Sequence, residues 1–434
     1  MENQIRRENQ IRVWLSLVLP FCAFGLYLLW LNKVGLGSGI FDYYQRFYES
    51  SSRGQLPWIH FNVEYPPLSI PLIFGPALLV KGLSVAQVTT IRTIWTFILT
   101  VIGFWKLGKY EIQIRKWPIS TYVLGACLLV ANKLYFVYFD WATLWIIILA
   151  FICRDASQRG RLTSNLLLVF GFLTKVVPGF IYPWVNPKHP GTSWIKTHAL
   201  FIGALALQVG YALFNVNGMM WAIQYHSQRS IDAFGIWGVL ALILNRLHIT
   251  NETVITQSET ASVTGPLSAV MRNGSTVVLL VALCAGIVFA FRHRQRDESS
   301  TDNKVGWLVG LMAVLVFALF GKLGQPNYCY WIAGVATVLS LSKHATARDL
   351  AILGTSSILF CFFAARQGAA PQLLYLADVP MTSIAFGALK FAFGIPILVL
   401  CLKHLQGVTM LEIRIPEEDF RQVNGVQIDC KDFE

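Results

Sequence analysis

Apolar runs constrain this chain more than any other feature. Val13–Leu31, Val277–Phe291, Trp307–Phe320, Leu350–Ala365 and Ile384–Leu402 carry almost no charge. A helix needs roughly 20 such residues to cross a hydrocarbon core. Only 13 % of the residues are charged, against about 25 % in soluble proteins. The expected fold is therefore all-α, a polytopic transmembrane helical bundle of about 10–13 hydrophobic helices, some of them half-depth. A β-barrel would instead alternate in segments of about ten residues.

The net charge of +12 does not imply nucleic acid, because the basic residues cluster in short loops between apolar runs, as the positive-inside rule expects. Arg6, Arg7 and Arg12 put the N-terminus in the cytoplasm, and Lys106–Lys116, Arg154–Arg161, Lys188, Arg292–Arg296, Lys343 and the tail from Lys403 follow on the same side. Residues 1–403 form the expected membrane domain and 404–434 a short cytoplasmic tail, in which Thr409–Ile415 alternates like a strand. The run after Arg12 is too long for a signal peptide and reads as an uncleaved helix. The eight cysteines show no CxxC pair, so neither a metal site nor a disulfide framework is expected.

Two places resist simple counting. Two apolar runs, about 66–82 and 86–105, lie between Glu64 and Lys106 where one crossing would serve. Between Arg161 and Lys188 a single stretch is interrupted by Thr174, Lys175 and Pro178. Reading 163–184 as a helical hairpin resolves the second conflict and brings Lys175, at its turn, into a cavity. An ammonium inside an apolar run faces a polar cavity or an anion, or else snorkels to the interface.

The first outer loop, 33–66, holds the candidate chemistry. Phe41, Tyr44, Phe47 and Tyr48 share one helical face, which predicts an interfacial helix with its aromatic side in the headgroups. Asp42 and Glu64 are placed to act as general bases toward a hydroxyl. Their plainer readings are an i,i+4 pair of Asp42 with Arg46 and a carboxylate at a helix start for Glu64. Further along, His226 and Arg229, then Lys322, Gln325 and Asn327, stand at other outer helix ends, where each alone would be a solvated cap. Together, Lys175, Arg229 and Lys322 suit a phosphate-bearing headgroup, with a carboxylate at hand to take a proton.

The motifs Phe41-Asp-Tyr-Tyr, Glu64-Tyr-Pro-Pro-Leu, Gly171-Phe-Leu-Thr-Lys-Val-Val-Pro and Gln325-Pro-Asn-Tyr-Cys-Tyr-Trp occur in this order over most of the chain. In this the chain resembles the GT-C superfamily of polytopic glycosyltransferases, and within it the bacterial family 87 mannosyltransferase-like group. The resemblance implies an inverting transfer of a hexosyl, mannosyl above all, or pentosyl residue from a polyprenyl-phosphate donor to a glycolipid or glycan acceptor. It implies no cofactor and no metal. On this reading Asp42 is the catalytic base and Glu64 a second acidic contact. Lys175, Arg229 and Lys322 hold the donor phosphate, while Tyr44, Tyr65, His226 and Gln325 touch substrate.

Two departures from the family pattern stand out. Where members often carry Gly-Gln-x-Asn, this chain reads Tyr138-Phe-Asp-Trp, and where Ser-Pro-Gln-Tyr is common it reads Gly324-Gln-Pro-Asn-Tyr. The rival class is a transporter or flippase for a lipid-linked sugar, which would share the cationic cavity and the broken helix. The expected location is the bacterial inner membrane with the active face outward, and the partners are membrane lipids rather than nucleic acid. Asn251-Glu-Thr and Asn273-Gly-Ser are glycosylation sequons that would matter only in a eukaryotic host.

Overall fold

The computed structural model describes residues 2–34, 39–115, 117–156, 158–186, 194–257, 260–294, 304–322, 324–342, 345–368 and 380–413. The Asp42 side chain, the loop at 187–190, Arg296, Lys343, the outer connection at 369–378 and the tail from 414 lie outside the described residues.

About 81 % of the structure is helical. Four stretches among the described residues are long and apolar enough to cross a membrane: Arg7–Lys33, Val85–Ile114, Ala347–Gln367 and Met381–Gln406. The first combines α1 (Glu2–Ser16) and α2 (Val18–Val34) through a turn at Leu17. After α3 (Gly39–Ser52), the run before α5 (Val85–Ile114) is used by the short α4 (Ser69–Phe74) and the 3-10 turn Gly75–Leu79. That short element takes up the first of the two apolar runs, and the second alone is long enough to cross. Ser84 then starts α5 with a reciprocal cap, accepting from the Gln87 N–H while the Gln87 side chain accepts from its own.

The aromatic face of α3 does not lie in headgroups. Tyr44, Phe47 and Tyr48 are buried in protein, because the turn at 80–83 supplies partners for the polar atoms beside them. Tyr48 Oη donates to Val80 O at 2.5 Å and accepts from Leu83 N, and Gln45 Nε2 donates to Leu83 O. A buried tyrosine hydroxyl needs a hydrogen-bond partner, and for Tyr48 the 80–83 turn supplies it.

From α5 the chain passes through α6 (Ile119–Val130) and α7 (Asn132–Val137) into α8 (Trp141–Ala156), which packs along α9 (Gln158–Lys175). The chain then doubles back through the 3-10 turn Val177–Phe180 and α10 (Tyr182–Val185). Arg154, at the end of α8, ties the two arms together. Its guanidinium donates to Asn165 Oδ1 at 3.3 Å on the outgoing arm and to Val185 O and Asn186 Oδ1 on the returning one. The arms fit closely, since a Cβ on Gly171 would meet Pro178 at 2.6 Å. This is the hairpin anticipated from the charge distribution, with Lys175 at its turn.

A bend of 110° separates α11 (Trp194–Leu213) from α12 (Val216–Gln228). The polar stretch that follows is not a plain loop. Between β1 (Ile231–Asp232) and α14 (Pro266–Arg294) come α13 (Ile236–Arg246), β2 (Thr253–Gln257) and β3 (Thr260–Thr264), with the strands forming an antiparallel sheet in the order β1-β3-β2. Thr and Val supply the β-branched side chains such a hairpin favours. Helices α15 (Lys304–Phe320), α16 (Cys329–Ser340), α17 (Ala347–Gly368) and α18 (Met381–Ile413) complete the bundle, with α16 buried along its whole length. Residues 409–413, expected as part of a strand, continue α18 instead.

Candidate functional site

A cavity of about 660 Å³ lies where the turn after α9, the end of α12, β1 and the segment after α15 converge. Its construction begins at that turn. Val176 has φ 64° and ψ −48°, close to the strained γ-turn conformation that a β-branched residue rarely adopts. The backbone reverses there in a single residue, which leaves Lys175 projecting from a helix end.

Lys175 Nζ stands 3.3 Å from Asp140 Oδ1, in a pair whose side chains are 10 % and 1 % exposed. The other carboxylate oxygen of Asp140 accepts from Asn327 Nδ2. The ammonium also lies 4.5 Å from the ring centre of Tyr65, a cation–π contact. Asp140 precedes α8, where the helix N-terminus favours a negative charge. One buried carboxylate thus joins the α9 hairpin to the segment leading into α16.

A second set of contacts fastens the loops around Arg229 and Lys322. Asp232 N donates to Lys322 O at 2.9 Å, and Lys322 Nζ donates to Ser227 O at 2.8 Å and to Arg229 O. Gly235 and Gly324 meet backbone to backbone, and a Cβ on Gly324 would strike the Gly235 Cα. Beneath them Lys390 of α18, 1 % exposed, donates to Phe234 O at 2.6 Å and to Gly324 O at 3.3 Å. Burial, then Arg272 and Arg229, lowers the affinity of Lys322 for its proton. Arg229 is itself buried, with its guanidinium 5.3 Å from the Tyr225 ring.

The first loop closes the remaining side. Glu64, Tyr65, Trp58 and Tyr44 belong to the cavity wall, and His226 Nε2 reaches Glu64 O at 3.3 Å. Tyr44 lies over the Arg92 guanidinium at 4.3 Å, while Arg92 donates to Val137 O and Phe136 O at the end of α7. Burial pushes the Tyr44 phenol up, and Arg92 partly offsets it. The loop is held by the α11–α12 elbow: Tyr211 Oη donates to Pro57 O, Asn215 Nδ2 donates to Ile59 O, and Gly218 packs against the Trp58 carbonyl.

The cavity therefore gathers Glu64, Lys175, Arg229 and Lys322, together with Tyr44, Tyr65, His226 and Gln325. Asp42 belongs to α3 two residues before Tyr44, but its side chain lies outside the described residues. Sequence reasoning missed Asp140, Asp232, Arg92 and Lys390. Asp140 and Lys390 did carry a signal, as lone charges within or beside apolar runs. The lining also includes the apolar side chains Phe180, Ile223, Leu279 and Phe317.

Comparison with family models, with curated proteins and with solved structures finds no match. Fold and site together describe a mostly helical protein with four helices long and apolar enough to cross a membrane and a cavity lined by both charged and apolar side chains.

Proposed function

We propose that this cavity is the active site of an inverting glycosyltransferase. It would take a hexosyl, mannosyl first, or pentosyl group from a polyprenyl-phosphate donor and pass it to a lipid or glycan acceptor on the outer face of the bacterial inner membrane. The observation that carries the reading is the joining, in one cavity, of a carboxylate (Glu64) and three cations (Lys175, Arg229, Lys322) with apolar side chains such as Phe180 and Leu279. A sugar, a phosphate and a prenyl tail each find matching chemistry there. The fold fits a polytopic bundle in which short helices such as Ser69–Leu79 accompany the four long ones.

In the proposed reaction the acceptor hydroxyl gives its proton to a carboxylate, Asp42 by resemblance with Glu64 as the second candidate. Its oxygen bonds to the anomeric carbon as the bond from that carbon to the phosphate oxygen breaks. The departing polyprenyl phosphate gains one negative charge. Arg229 and Lys175 stabilise that charge in a site poor in water. Lys322 spends two of its three donors on carbonyls, which suits holding Arg229 in place as well as contacting phosphate.

A flippase for a lipid-linked sugar is the second reading, favoured by the 110° break between α11 and α12, since broken helices line transporter sites. The test is transfer of radiolabelled mannose from polyprenyl-phosphate-mannose to membrane lipids by purified protein. Transfer that Asp42→Asn abolishes and Glu64→Gln weakens supports the enzyme with Asp42 as base, and the reverse order makes Glu64 the base. No transfer from mannosyl, glucosyl or arabinofuranosyl donors, with movement of labelled lipid across proteoliposomes, overturns the enzyme reading.

A further inference from the structure

Asp232 has no part in the proton transfer or the phosphate cradle just proposed. Yet it is 1 % exposed and belongs to the cavity wall. The fold accounts for only half of its carboxylate. Oδ1 accepts from Phe234 N at 2.9 Å and closes the turn from β1 toward α13, a local bond that the amide oxygen of an asparagine would make equally well. Oδ2 has no hydrogen-bond partner among the described residues.

A buried carboxylate oxygen without a donor is costly, and native folds seldom leave one so. Here it stands in the wall of a cavity whose three cations, Lys175, Arg229 and Lys322, only donate, and whose other carboxylate, Glu64, is already given to the proton transfer. The cavity can therefore hold an anion with its cations and offers an acceptor close by. A ligand satisfying both presents a negatively charged group and a hydroxyl, as a glycosyl phosphate does.

We propose that Asp232 is the sugar-recognition carboxylate of this site, its Oδ2 accepting a hydrogen bond from one hydroxyl of the glycosyl group on the bound lipid phosphate. The inference rests on the glycosyl-transfer reading above. Burial raises the proton affinity of this carboxyl, and Arg229, the Phe234 N–H and Lys390 oppose that effect. The competing role is that of counter-ion to Arg229 and Lys390. A counter-ion would not distinguish one sugar hydroxyl from another, whereas a hydrogen-bond acceptor must.

The experiment compares wild type with Asp232→Asn, which keeps the Phe234 turn. The probe is decaprenyl phosphate carrying whichever of mannose, glucose or arabinofuranose the wild type binds, together with its monodeoxy analogues, all of equal charge. For the wild type, one deoxy position is expected to weaken binding by about tenfold or more. In Asp232→Asn the amide Nδ2 can only donate to that hydroxyl, so the charge-assisted bond is lost and the penalty at that position alone shrinks. An unchanged pattern across the panel overturns the assignment, as does a uniform loss for every lipid, which makes Asp232 a support for Arg229. A wild type that binds none of the glycosyl lipids overturns the reading of the cavity itself, and Asp232's role with it.

Discussion

Lys175 and Asp140 face each other at 3.3 Å across the turn of the α9 hairpin, and Asn327 holds the far side of the same carboxylate. Removing one partner strands a charge where little water reaches it. Asp140→Ala is expected to cost about 3 kcal/mol, in the range for broken buried pairs, and the double variant with Lys175→Met should recover part of that loss. Thermal unfolding in detergent reads both. Equal stability of the two variants would refute a coupled pair.

Lys175→Met by itself tests the phosphate role. Loss of a charge-assisted contact of a few kcal/mol lowers transfer by roughly a hundredfold, while arginine at the same place preserves the charge and should restore part of it. Steady-state transfer from the lipid donor is the measurement. A Met variant as active as wild type removes Lys175 from the reaction.

At Val176 the usual order of substitutions should invert. Its φ of 64° penalises every side chain bearing a Cβ, so Val176→Gly is expected to be more stable than Val176→Ala by about 1 kcal/mol. In an ordinary helix the preference runs the other way. Melting curves of the two variants decide it.

Gly218 carries no freedom to grow, because an added methyl would collide with the Trp58 carbonyl. Gly218→Ala should destabilise by about 2 kcal/mol, as overpacking against backbone does. It should also expose the 57–59 segment to proteolysis sooner than in wild type. Gly274→Ala, with open space at its Cβ, is the control expected to do neither.

The titration of Asp232 has a definite sign. Its folded-state pKa is raised above the ordinary 3.8, chiefly by burial, so the folded protein holds this proton more tightly than the unfolded chain. The stability this contributes is fully present below the unfolded value and is lost as pH rises through the folded one. Asp232→Asn should therefore flatten the melting temperature across that window relative to wild type. An identical pH profile for both would count against the shift.

Several features were legible in the sequence for plain physical reasons. Apolar length gave the long helices, and the positive charges on both sides of 163–184 demanded a return, which put Lys175 at a turn. The aromatic stripe of α3 was visible as a stripe, but its burial depended on the distant carbonyls at Val80 and Leu83, which periodicity cannot supply. Asp140 was passed over because its partners, Lys175 and Asn327, are remote in the chain. The β2–β3 hairpin was hidden in a polar stretch whose Thr-rich alternation was short. Lys390 sat within a run read only for its hydrophobicity.

The clamp made by Lys390 has a consequence for biosynthesis. The two loops bearing Arg229 and Gln325 are joined beneath by an ammonium that belongs to α18, the last helix among the described residues. During translation those loops emerge long before that helix does. Until α18 has packed, Phe234 O and Gly324 O lack their common donor, so the cavity can reach its final shape only once that helix is in place.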